Sequence, residues 1–184
     1  MDYIILDNII PKTMAENFEK TMTSNMFPWF LNRTTVYDEK SNQDSPLYRD
    51  VSAFAHLFSN NDGVVSSPYF NIAKYLLDKF LEETKLECKS IVRCRANYMV
   101  CQPSKETLPC PPHVDGDYPH HVLLYYVNDS DGDTVLYQNG EVLTTVNPVQ
   151  GRFLFFSGSD MHSATPPNKH DKRIAINYNL EMKL

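Results

Sequence analysis

The chain has 184 residues, with 17 lysines and arginines against 23 aspartates and glutamates, giving a net charge of −6. That length fits one domain, which can bury roughly 70% of the surface its unfolded chain exposes. No basic run strong enough for a nucleic-acid footprint stands out, and the nearest is the short Arg93–Arg95 pair. No apolar run approaches the roughly 20 residues of a membrane span. The four cysteines, Cys88, Cys94, Cys101 and Cys110, contain no C-x-x-C pair, which argues against a thiolate zinc site. The opening MDYIILDNIIPK lacks a basic segment followed by a long apolar one, so no secretory signal is expected. Reduced thiols in a cytoplasmic compartment follow from that reading.

In chain order, Tyr3–Ile10 is apolar and β-branched enough for a strand. Pro11 then sits where a helix accepts proline in its first turn, and Met14, Phe18 and Met22 follow at helical spacing. Residues 27–37 read as extended. The stretch from Asp38 to Asp50 is polar and broken by proline, which predicts a loop. Such a loop, bounded by Tyr37 and Tyr48, is either a lid over substrate or a plain surface segment. Pro68 opens the clearest helix, on which Phe70, Ala73, Leu76, Leu77, Phe80 and Leu81 form one apolar stripe.

From Ile91 the pattern turns to β. Val92, Cys94, Ala96 and Tyr98 fall on one face, and Arg93, Arg95 and Asn97 on the other. Short strands follow at His121–Val127, Thr134–Gln138, Glu141–Val146, Arg152–Phe156 and Arg173–Leu180. Asn139-Gly140 marks a tight hairpin. The expectation is a single α+β domain over 1–184, with residues 1–90 a mainly helical support and 91–184 a jelly-roll core. On the last strand Arg173, Ala175, Asn177 and Asn179 share one face, and Ile174, Ile176, Tyr178 and Leu180 the other. If the apolar face meets the helices, the polar face lines the inside of the jelly roll. An arginine there is costly unless it meets water or an anion, which predicts a cavity.

His113-Val114-Asp115 offers an imidazole and a carboxylate pointing the same way from extended backbone. His162 follows roughly fifty residues later, after a strand and the turn SGSD, where a jelly roll can return it to the first pair. Two histidines and one carboxylate leave three open positions on a metal, the arrangement suited to Fe(II) oxygen chemistry. Each histidine could instead be an ordinary loop residue, as His56, His120, His121 and His170 are expected to be. His120 and His121 are adjacent and point to opposite faces, so they cannot join one site together.

The succession PPHVDGDYPHHVLLYYVNDSDGDTVLY, NPVQGRFLFFSGSDMHSATPP and KRIAINYNL resembles the 2-oxoglutarate/Fe(II) dioxygenases, especially their prolyl-hydroxylase-like branch. The N-terminal half is similar to small bacteriophage members of that family. The resemblance implies a double-stranded β-helix (a cupin-like jelly roll) with N-terminal helices packed on one sheet. It matches His113, Asp115 and His162 to the iron ligands, and Arg173 to the arginine that clamps the distal carboxylate of 2-oxoglutarate. Tyr126, Asn97 and Tyr98 fall where relatives place further cosubstrate contacts. The family often has Ser or Thr two residues beyond the arginine. Ala175 stands there, with Asn177 two further on.

The cofactors so implied are Fe(II), 2-oxoglutarate and O2. The activity implied is hydroxylation of a peptidyl, prolyl-type side chain; a free amino acid or other small molecule is the alternative substrate. A second arginine six beyond the first, typical of nucleic-acid demethylases, would fall at Asn179, so no nucleic-acid partner is expected. No membrane partner is expected either, and the compartment is cytoplasmic, that of the host if the gene is a phage's. A non-enzymatic, metal-binding jelly roll is the reading from another class.

Overall fold

The computed structural model describes residues 3–33 and 47–183. Residues 34–46, which hold most of the expected loop and lid, lie outside it. Along the chain come β1 (Ile4–Leu6), α1 (Lys12–Met22), β2 (Phe30–Asn32), β3 (Ala53–Ser59) and α2 (Phe70–Thr84). Then follow β4 (Cys88–Val100), β5 (His121–Tyr126), β6 (Thr134–Gln138), β7 (Glu141–Val146), β8 (Phe153–Ser157), β9 (His162–Ala164) and β10 (Lys172–Met182).

Among the described residues the strands form two antiparallel sheets. One has seven strands in the order β1-β8-β5-β10-β4-β3-β2, the other three in the order β7-β6-β9. Period-two alternation decides how they pack. Val122, Leu124, Leu154, Phe156 and Ala175 of the large sheet meet Leu136 and Val146 of the small one, filling the space between the sheets. The opposite face of the large sheet carries Cys94, Ala96, Ile174, Ile176, Tyr178 and Leu180. These residues pack with Ala15 and Met22 of α1 and Ala73, Leu76, Leu77 and Phe80 of α2. The result is the expected jelly roll with helices on one sheet. No helix of the described residues is long and apolar enough to cross a membrane.

Asn139 and Gly140 both have positive φ, 54° and 83°, as a tight hairpin between β6 and β7 requires. The sequence reading missed β3 and β9. The first carries two alanines and a histidine, weak strand formers, yet is buried on both faces between β2 and β4. The second is only three residues long. The first ninety residues are also less helical than expected, because β1, β2 and β3 all join the large sheet.

The site is positioned by β10, which lies between β5 and β4. Its register sets Arg173 opposite Met99, Ala175 opposite Asn97, Asn177 opposite Arg95 and Asn179 opposite Arg93. Each of these pairs on the inward face therefore carries at least one polar side chain.

Candidate metal centre

His113 precedes β5 in a loop, and His162 opens β9. They exchange both backbone hydrogen bonds, His113 N to His162 O at 3.0 Å and His162 N to His113 O at 2.9 Å. A hydrogen-bonded antiparallel pair sets its side chains on the same side. The two rings accordingly lie 4.7 Å apart, centroid to centroid. Asp115, two residues on, brings its Oδ1 to 3.8 Å from His113 Nε2. The ligand atoms of His113, Asp115 and His162 all lie within 4.8 Å of one another, so the three could hold one metal ion.

The protonation states suit that role. His113 Nδ1 donates to the Pro111 carbonyl and His162 Nδ1 to the Asp160 carbonyl, each at 3.2 Å. A carbonyl can only accept, so each Nδ1 carries a proton, which leaves Nε2 as the nitrogen that can bind a metal. Burial, reinforced by His162, brings the His113 pKa down to about 4, so its ring is neutral at pH 7. Burial alone would raise the Asp115 pKa. The neighbouring His162, Arg93 and His113 outweigh it and hold the carboxyl well below the usual range. Neutral imidazoles with an ionised carboxylate are the forms that bind a divalent ion. The donor set therefore fits Fe(II).

Asp115 is held by its outer oxygen. Oδ2 accepts from Asn177 Nδ2 at 2.8 Å and Asn179 Nδ2 at 2.9 Å. Arg93 Nε donates to Asn179 Oδ1 at 2.9 Å, which fixes the orientation of that amide. Arg93 Nη2 also stands 3.3 Å from Asp115 Oδ1, the oxygen that faces His113. Two asparagines thus occupy one carboxylate oxygen and turn the other toward the histidines.

From the triad a cavity runs between the sheets to Arg173, with Asn97, Thr134, Ala175 and Asn177 among its walls. Arg173 is 3% exposed. Its Nε donates to the Gly132 carbonyl at 2.7 Å and its Nη2 to the Thr134 hydroxyl at 2.8 Å, both neutral acceptors. Gly132 is required by space: a Cβ there would lie 2.5 Å from the Thr165 carbonyl and 3.0 Å from Arg173 Cδ. Tyr126 lies beneath the guanidinium, 5.6 Å from ring centre to Cζ, and donates its hydroxyl to Thr134 Oγ1 at 2.7 Å. With both lone pairs of Thr134 so occupied, its own proton must point elsewhere, and the cavity it lines is open to it.

The expected residues thus separate. His113, Asp115 and His162 converge, and Arg173 and Asn97 line the same cavity. Asn177 lines it too, with its amide on Asp115. Tyr126 supports Arg173 and Thr134 from below. Tyr98 is on the other face of β4, against Trp29 and Phe54, at ring separations of 5.3 and 6.3 Å. It cannot share a face with Asn97, its neighbour in sequence. The other histidines take structural places. His56 is bonded through both ring nitrogens, to Pro28 O and Ser67 Oγ, and His121 stacks on Phe155. Thr134, Asn179 and Arg93 were not singled out as site residues from the sequence. The signal for Asn179 was its place on the face of β10 shared with Arg173 and Asn177.

No family model matches the sequence, and no curated protein matches it. Solved structures do. A 2OG-Fe(II) oxygenase family oxidoreductase from Burkholderia pseudomallei superposes with a TM-score of 0.69 at 13% identity, covering 97% of this chain and 84% of that one. A Trichoplax adhaerens prolyl hydroxylase, in complex with a hypoxia inducible factor oxygen degradation domain peptide, gives 0.62 at 15%, covering 97% and 82%. The epimerase SnoN, in complex with Fe3+, alpha ketoglutarate and nogalamycin RO, gives 0.60 at 10%, covering 97% and 78%. Over nearly its whole length, this chain has the fold of the 2OG-Fe(II) oxygenases.

Proposed function

We propose that this protein is a 2-oxoglutarate- and Fe(II)-dependent oxygenase that hydroxylates a peptidyl side chain of the prolyl type. The observation that carries the reading is one cavity with a His-Asp-His triad at one end and a buried arginine at the other. A metal-binding jelly roll without enzymatic activity has no use for a guanidinium buried among neutral acceptors. Asp133 acts on this guanidinium but no carboxylate pairs with it directly among the described residues, so burying it is costly, and a dianionic cosubstrate meets that cost. Neighbours that include a prolyl hydroxylase with its peptide and an epimerase with iron and alpha ketoglutarate support the same reading.

In this proposal His113, Asp115 and His162 hold Fe(II). Bound there, iron and 2-oxoglutarate supply the oxygen chemistry: one O2 gives succinate, CO2 and one oxygen atom inserted into a substrate C–H bond. The chain's own residues provide position and dryness. Arg173 pairs bidentately with the distal carboxylate of 2-oxoglutarate. Thr134 adds its hydroxyl proton to the same carboxylate, taking the place of the Ser or Thr that Ala175 does not provide. Tyr126 keeps Arg173 and Thr134 in place. Asn177 and Asn179 keep one oxygen of Asp115 aimed at the metal. Leu124 and Ala175 of the cavity wall limit water.

The test is turnover. Protein with Fe(II), ascorbate, 2-oxoglutarate and O2 is incubated with a library of proline-containing peptides, then with free amino acids. Products one oxygen atom heavier, formed with stoichiometric succinate, are expected from the peptides. Succinate formation no faster than in His162→Ala protein across both sets would sink the oxygenase reading. Oxygenated free amino acids alone would replace the peptide with a small molecule.

A further inference from the structure

Between β9, which opens with His162, and β10, which carries Arg173 near its start, the chain runs through a short connection, residues 165–171. Against it lies the turn before β6, residues 131–133. The two segments meet backbone to backbone. A Cβ on Gly132 would lie 2.5 Å from the Thr165 carbonyl oxygen and 3.0 Å from Pro167 N, and Thr165 N donates to the Asp133 carbonyl at 2.8 Å.

The Asp131 carboxylate fastens them. Its Oδ1 accepts from Asn168 N at 3.2 Å and His170 N at 3.1 Å, and its Oδ2 from Lys169 N at 2.8 Å. His170 Nδ1 stands 3.2 Å from the same Oδ1. Three successive backbone amides thus converge on one carboxylate, as in the concavities where turns bind anions. Burial alone would raise the Asp131 pKa, yet these donors outweigh it and hold the carboxyl below its ordinary value. Asp131 is therefore ionised at pH 7.

We propose that Asp131 is a positioning residue for the cosubstrate: it holds the turn so that the Gly132 carbonyl and the Thr134 hydroxyl set the angle of the Arg173 guanidinium. The proposal rests on the oxygenase reading above and deepens it. The argument lies in what each bond fixes. The backbone around Arg173 is held separately, by the Asn128 amide, which accepts from Ile174 N at 2.8 Å and donates to the Lys172 carbonyl at 3.0 Å. The connection has its own anchors on the far side. Cys101 N donates to the Asp171 carbonyl at 2.9 Å, Gln102 N to that of Pro167 at 2.8 Å, and Ser104 N to Asn168 Oδ1 at 2.8 Å. Strand and connection therefore keep their places when Asp131 is changed. What loosens is the turn, and with it Gly132 O and Thr134 Oγ1, the two acceptors that orient the guanidinium. A bidentate pair with a carboxylate depends on that orientation.

The test is a double-mutant cycle on 2-oxoglutarate binding. Whole protein with Fe(II) is titrated without oxygen, and the charge-transfer absorption of the iron chelate is read. Absence of that band in wild type would count against the oxygenase reading and not against Asp131. With the band present, Asp131→Ala should weaken 2-oxoglutarate about five- to thirty-fold, the size of one or two ordinary hydrogen bonds. Fe(II) affinity should stay within about twofold of wild type. Asp131→Asn, which keeps one acceptor oxygen, should lose less, and it carries the same test if the alanine variant does not fold. In Arg173→Lys protein, which lacks the Nε–H that Gly132 accepts, either change should cost a clearly smaller factor. The same factor in both backgrounds would overturn the proposal, because Asp131 would then act on the fold at large. So would a lowered melting temperature with 2-oxoglutarate affinity unchanged, the mark of a merely structural bond.

Discussion

On the outer face of β10, Ile174, Ile176, Tyr178 and Leu180 are fully buried against the helices, and the one hydroxyl among them, Tyr178 Oη, donates to the Ala73 carbonyl at 2.9 Å. On the inner face, Arg173, Asn177 and Asn179 are almost as deeply buried, yet they are polar and turn toward Asp115 and the cavity. One face is satisfied by packing and that single side-chain hydrogen bond. The other holds a buried Asn177 Oδ1 without a partner among the described residues and a guanidinium among neutral acceptors. Equal burial therefore takes two forms along one strand: apolar groups packed shut on the helix side, and polar groups turned to a cavity on the sheet side.

Changes on the two faces should separate accordingly. The largest effect belongs to the triad. His162→Ala or His113→Ala should abolish iron binding, measured as bound metal after equilibrium dialysis, while the metal-free protein stays folded. His120→Ala and His170→Ala should retain the ion. Full occupancy in His162→Ala would break the assignment. Ile176→Ala, two pleats away on the outer face, should do the reverse. It should cost about 2–5 kcal/mol in denaturant unfolding through its cavity, yet leave the 2-oxoglutarate affinity of folded protein unchanged.

Asn179→Ala sharpens the comparison, since it changes an inner residue that holds Asp115 and is itself assigned to neither iron nor 2-oxoglutarate. Losing a hydrogen bond that orients a metal ligand should weaken Fe(II) about ten- to a hundred-fold, with a smaller change in unfolding free energy. An unchanged iron titration would make Asn179 merely structural. The smallest effect concerns pH. Burial lowers the His56 pKa from its ordinary value of 6.5, so the unfolded chain takes up this proton at higher pH than the folded one. His56 therefore contributes stability that is complete above pH 6.5 and is lost as pH falls through the lowered folded value. Wild type should lose more stability than His56→Phe between about pH 7.5 and 5.5 in thermal melts. Parallel losses would deny that burial holds this ring neutral.

Periodicity made much of this architecture legible. The faces of β4 and β10, the apolar stripe of α2 and the Asn139-Gly140 hairpin all follow from spacing. The convergence of His113, Asp115 and His162 was legible because His113 and Asp115 share a face and SGSD returns the chain to His162. What escaped the sequence depends on contacts between distant segments. β3 is a strand because it is clamped between β2 and β4, against the weak preference of its alanines. Thr134 belongs to the site because Tyr126 and Arg173 both donate to it, which spacing cannot reveal. The helical appearance of the first ninety residues misled because three short strands there find partners only in the large sheet.

The central claim is that the inner face of β10 binds 2-oxoglutarate through Arg173, and a titration of 2-oxoglutarate into Fe(II) protein without oxygen tests it most directly. Removing one partner of a buried, hydrogen-bonded charge pair costs about 2–5 kcal/mol, roughly thirty-fold to several thousand-fold in affinity. Arg173→Ala should therefore weaken 2-oxoglutarate by that factor with Fe(II) affinity nearly unchanged. Arg173→Lys should recover only part, because an ammonium cannot form two parallel hydrogen bonds to a carboxylate. Equal affinity of wild type and Arg173→Ala for 2-oxoglutarate would contradict the account, whatever the metal does.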